Sequence, residues 1–125
     1  MLRSKIALIG LLLAVVMTTF VAVNTSDAGE RNDFWFRNAS GATITQLYVA
    51  EGHEDEWGPD RLGEYVLGPG EEFFVRFRRP HHCRYDVMVV WEDGSTWQQP
   101  KRVNVCEVVR LTLRCNRRGC WTEAE

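Results

Sequence analysis

Five carboxylates fall within one ten-residue segment, Glu51, Glu54, Asp55, Glu56 and Asp60. Hard cations such as calcium are held by several oxygens at once, and a loop of this composition can supply them. The spacing departs from the twelve-residue loop of the EF-hand, so the first reading is a solvated acidic loop, with a calcium site on these five residues as the alternative. A second charge cluster, Arg76, Arg78, Arg79, His81, His82 and Arg84, follows shortly after. Residues 29–125 carry 12 arginines and only one lysine, Lys101. The planar guanidinium fork suits carboxylate and phosphate groups, which makes Arg76, Arg78 and Arg84 a candidate surface for an anionic component. The plainer reading is an outward strand face whose arginines are solvated or paired with the chain's own acids.

Among five tryptophans, Trp57 and Trp97 lie in or beside expected turns and are candidates for a binding surface; the others are read as packing. Nucleophilic catalysis is poorly supplied. Ser40 and Ser95 are the only serines after residue 28, and both stand in turn-like sequence without a strand–elbow–helix context. His81 and His82 are adjacent, so in extended chain they point apart. His53 lies in the acidic loop. No catalytic residue and no cofactor is therefore expected. Asn38-Ala39-Ser40 is formally a glycosylation sequon, relevant only to a eukaryotic secretory route.

These residues must be held by a small frame. The chain has 125 residues and a formal net charge of −2. Arg3 and Lys5 precede an uncharged stretch over residues 6–23, and Ser26-Asp27-Ala28 offers small residues at a cleavage position. This layout predicts a signal peptide over 1–28 and export to the periplasm or medium, an uncleaved membrane anchor being the alternative. The segment carries a net charge of +1, leaving −3 for a single domain over 29–125. A strongly basic nucleic-acid binder, a multidomain enzyme and a multi-span membrane protein are excluded on these grounds.

Cys83, Cys106, Cys115 and Cys120 all fall in the exported part. An even count in a small exported domain predicts two disulfides out of three possible pairings. Cys83 with Cys106 and Cys115 with Cys120 is favoured, the second closing a short loop. A zinc site of four thiolates is the alternative, against which stand the oxidising compartment and the lack of a close CxxC pair.

From residue 33 onward, short apolar runs alternate with turn residues. Phe73, Val75 and Phe77 face one way, and Phe74, Arg76 and Arg78 the other. Asp93-Gly94 marks a hairpin, and Pro69-Gly70 a tight turn. About seven such strands predict a small antiparallel β-sandwich stabilised by disulfides, with a small barrel as the alternative. Helix is limited to a turn within residues 54–62, and the tail beyond Cys120 reads as loose.

The ordered succession Phe36-x-Asn38-x-Ser40-Gly41, Trp57-Gly58-x-Asp60-x-Leu62-Gly63, Pro69-Gly70, Cys83-x-Tyr85-Asp86-Val87, Asp93-Gly94 and Val103-x-Val105-Cys106 resembles a family of small exported bacterial proteins. The resemblance spans roughly residues 34–113. It implies a bacterial envelope address and a Cys83–Cys106 bond, and it brings no catalytic residues with it. Asp86 is assigned a structural role, tying residues 57–63 to the sheet through buried donors.

The expected function is that of an exported, non-enzymatic binding or envelope-associated module. Its partner would be a protein or an anionic envelope component, not nucleic acid, with membrane attachment only if the leader is retained. A calcium-dependent module or enzyme using residues 51–60 and an inhibitor of an exogenous hydrolase are the competing readings.

Overall fold

A computed structural model describes residues 33–51, 56–78 and 82–125. The expected leader, together with His53, Glu54, Asp55, Arg79 and His81, lies outside the described residues. Eight strands form two sheets. They are β1 (Phe34–Ala39), β2 (Ile44–Glu51), β3 (Glu72–Val75), β4 (Arg84–Trp91), β5 (Thr96–Gln98), β6 (Val103–Asn104), β7 (Arg110–Asn116) and β8 (Gly119–Ala124), with one 3-10 turn at Val105–Glu107. The first sheet has the order β3-β1-β7-β8 and the second β2-β4-β5, with β6 also on β4. This is the predicted disulfide-stabilised β-sandwich, not a closed barrel.

Alternation builds the core. Phe34 and Phe36 are buried while Trp35 between them is 40% exposed. Val87 and Val89 of β4 and Leu111 and Leu113 of β7 repeat the pattern from the facing strands. In the run after Gly70, Val75 is buried and Phe73 and Phe77 pack against the core, while Arg76 and Arg78 are exposed, as the alternation predicts. Ile44 and Leu47 both point inward although three residues apart, because a bulge at Thr45 inserts one extra residue opposite β4. Gly70 (φ 82°) and Gly94 (φ 85°) occupy the left-handed region their turns require.

Three features depart from expectation. One strand pair, β1 with β7, is parallel. The residues beyond Cys120 are not a loose tail but most of β8, paired with β7 from Asn116–Gly119 to Leu111–Ala124. Trp97, beside the Asp93-Gly94 turn as expected, lies within β5 half-buried opposite Val89 and packs against the core instead of forming an open binding surface.

Both expected disulfides are present, Cys83–Cys106 and Cys115–Cys120, and the described residues contain no free cysteine. The first joins the start of β4 to the 3-10 turn after β6; the second crosses the β7–β8 hairpin at directly opposed positions. Four thiols used in this way leave none for a zinc site. Disulfides of this kind are typical of proteins outside the reducing cytoplasm.

Candidate binding cleft

A bare strand edge exposes a row of unpaired N–H and C=O groups, and β2 is such an edge of the second sheet. Here residues 60–67 cover it. The Leu47 N–H donates to Asp60 Oδ1 at 2.9 Å, and the Arg61 N–H donates to the Leu47 carbonyl at 2.7 Å. Farther along, Ile44 and Leu67 exchange two backbone bonds of 2.9 and 2.8 Å. Asp60 Oδ1 also accepts the Leu62 N–H at 3.0 Å, so the same oxygen shapes the turn and fastens it to the sheet. Asp60, not Asp86, therefore ties residues 57–63 down. Asp86 is half-buried, pairs with Ala50 across the sheet and has Arg102 Nε at 3.9 Å.

Arg61 completes the fastening and opens a different possibility. Its guanidinium donates to the Val49 carbonyl at 3.1 Å and to the Arg76 carbonyl at 2.9 Å, bridging the two sheets at one end of the sandwich. It lies 5.3 Å from the Phe77 ring centroid, close enough for a cation–π contact. Among the described residues its Nε is buried without an acceptor, and the contacts of the guanidinium are to neutral groups. Burial lowers its pKa from the ordinary arginine value, the opposing influence being Tyr85.

Around Arg61 the sandwich opens into a cleft of about 490 Å³. Phe77 and Tyr85, whose rings lie 4.6 Å apart, bring the core to its floor. Trp57 walls one side, braced by Tyr48 at 6.5 Å between ring centroids. Arg78, Glu51 and Glu56 supply charge. Tyr85 is 4% exposed. Its hydroxyl pKa is raised, chiefly by burial and next by the Glu51 charge, against a His82 backbone hydrogen bond and the Arg61 charge that pull it down. Glu51 and Arg61 thus both act on the same hydroxyl.

The cleft joins Trp57, Arg78, Glu51 and Glu56 from the residues singled out in the sequence, and Arg61, Phe77 and Tyr85 are additions. An arginine two residues before the glycine of a turn carries no local sign of bridging two sheets, so sequence offered no handle on it. Arg76 points away, stacked over Phe74 at 5.5 Å. Arg84 is exposed at the start of β4 opposite Asn104, and Trp97 packs into the core; neither lines the cleft. The acidic residues also divide. Asp60 is engaged by two backbone N–H groups, Glu51 lies 3.7 Å from His82, and Glu56 is exposed. Among the described residues no three His, Cys, Asp or Glu side chains converge on a point that could hold a metal ion.

A larger cleft, about 690 Å³, opens at the other end beside Trp91 and the Cys115–Cys120 bond. Its Asp93 is occupied by the hydroxyl and backbone N–H of Ser95, which hold the carboxyl below its ordinary pKa and close the hairpin. Asn38, of the sequon, is fully buried nearby: its Nδ2 donates to the Ala42 and Leu67 carbonyls at 2.7 and 2.9 Å. That amide is a structural pin, inaccessible to a glycosylating enzyme in the folded state. Of the three tryptophans read from sequence as packing, Trp91 is half-buried, while Trp35 and Trp121 are exposed, at 40% and 39%, on the outer face of the first sheet. The alternation around Phe34 and Phe36 was the signal for Trp35. No family model, curated protein or solved structure matches this chain.

Proposed function

We propose that the protein is an exported, non-enzymatic binding module, working in the periplasm or outside the cell, whose ligand site is the cleft around Arg61. The observation that carries this reading is a half-buried guanidinium fixed by two carbonyls, with no acid partner among the described residues, at the floor of an aromatic-walled opening. Such a charge is costly to hold without a counter-charge, and sites built in this way are where ligands bind. The rim charges and Trp57 supply orientation and contact area. The two disulfides and the leader-like start support the address, in keeping with the family resemblance.

Site-directed photo-crosslinking tests the reading. A photoreactive residue at Pro59, on the cleft rim, should form an adduct with an envelope component in the exporting cell. The same residue at Lys101, away from the cleft, should not. Equal labelling from both positions, or none from Pro59, would reject the cleft as the working surface.

A further inference from the structure

We infer that the cleft takes a zwitterionic ligand of amino-acid or short-peptide type, carrying an ammonium and a carboxylate separated by a compact body. This rests on the cleft being the binding site and adds the chemistry of what enters it. Among the described residues the charges lining the opening are mixed: Arg61 and Arg78 against Glu51 and Glu56. A polyanion would meet the two glutamates, and a polycation the two arginines, so either is disfavoured by like charge. A ligand with one charge of each sign meets a partner at both ends.

The two positive groups differ in mobility. Arg61 is held rigidly by the Val49 and Arg76 carbonyls and the Phe77 face, leaving N–H groups beyond those two bonds for a carboxylate in planar register. Arg78 is exposed, and no hydrogen bond or ion pair holds it among the described residues, so it is free to close on the same group. On the negative side, Glu56 is exposed in the same way. Glu51 keeps its contact with His82 while its charge reaches Tyr85. Glu51, Arg61 and Tyr85 line the same opening, so both signs of charge border it. Trp57 and Phe77 offer ring surface to the ligand's body. The volume, about 490 Å³, lies within the range of roughly 300–1,000 Å³ for small-ligand sites and suits a few residues rather than a folded partner. Capture of a free amino or carboxyl terminus by fixed polar groups is a recurrent mode of peptide recognition.

The test uses the disulfide-bonded protein and four forms of trialanine: free, N-acetylated, C-amidated and capped at both ends. Calorimetric titration should give saturable binding of the free peptide. Capping either end should weaken it at least about tenfold, the loss expected for one charge-assisted contact. Arg78→Ala should weaken the free and N-acetylated forms, and Glu56→Gln the free and C-amidated forms. Both residues are exposed and leave the fold intact. Binding of the doubly capped peptide as tightly as the free one would overturn the inference, as would failure of every form to saturate at millimolar concentration. If all forms fail while Pro59 still cross-links in the cell, the ligand class is wrong and the cleft stands. If both fail, the cleft reading falls with it.

Discussion

Asp60 and Tyr85 show how single side chains in this small domain serve both frame and site. One oxygen of Asp60 accepts two backbone N–H groups, from Leu47 and Leu62. Its removal leaves both without a partner at a part-buried position. Asp60→Ala should therefore lower the unfolding free energy by about 2 kcal/mol, whereas Asp86→Ala, which removes only a long contact to Arg102, should cost less than about 1 kcal/mol. Denaturant midpoints of the two variants decide this, and a reversed order would return the loop-fastening role to Asp86. Tyr85 sets a pH dependence. Its folded-state pKa lies above the unfolded value of about 10, so the neutral phenol is favoured by folding. The stability tied to it is complete below about pH 10 and is lost as pH rises through the raised value. The melting temperature of the wild type should accordingly fall relative to that of Tyr85→Phe on going from about pH 8 to about pH 11. Parallel curves across that interval would contradict the assignment.

At the scale of elements, the two disulfides are unequal staples. Cys83–Cys106 spans 23 residues and Cys115–Cys120 only 5. Loop-closure entropy assigns about 3.5 kcal/mol to the longer and about 2 kcal/mol to the shorter, which also has the β7–β8 ladder to hold its hairpin. Paired Cys→Ser variants should melt in that order, checked by denaturation under non-reducing conditions; a greater loss from the short loop would show that β8 depends on its bond more than on its ladder. The strands with strong alternation, β1, β2, β4 and β7, were legible in the sequence, as was the disulfide framework. β5 was not, because three residues ending before Gln99-Pro100 carry too short a pattern. β8 was not, because its outward residues Trp121 and Glu123 and its inward Cys120 and Thr122 read as polar tail until β7 is placed beside them. The parallel β1–β7 pairing joins segments over 70 residues apart and has no local signature at all. The site was half legible: residue types marked Trp57, Arg78, Glu51 and Glu56. The grouping of these with Arg61 and Tyr85 depends on which end of the sandwich each strand reaches.

For the whole molecule, the two sheets close tightly over their shared apolar core and open at their ends, where turns rather than strands meet. The end near β2 and β4 carries the arginine that has no acid partner among the described residues, the mixed rim and the aromatic floor. The outer face of the first sheet is the competing surface, since it exposes Trp35 and Trp121. On that face, however, Arg110 is paired with Glu72 and Glu125, and Arg114 with Glu123, so most of its charge is already internally balanced. The most direct discrimination is a proton–nitrogen correlation spectrum of isotopically labelled, disulfide-bonded protein, recorded before and after addition of low-molecular-weight envelope extract. The Trp57 indole and the backbone signals of Arg61, Arg78 and Tyr85 should move together while those of Trp35 and Trp121 stay in place. Shifts confined to Trp35, Trp121 and their strands would contradict the cleft as the binding site.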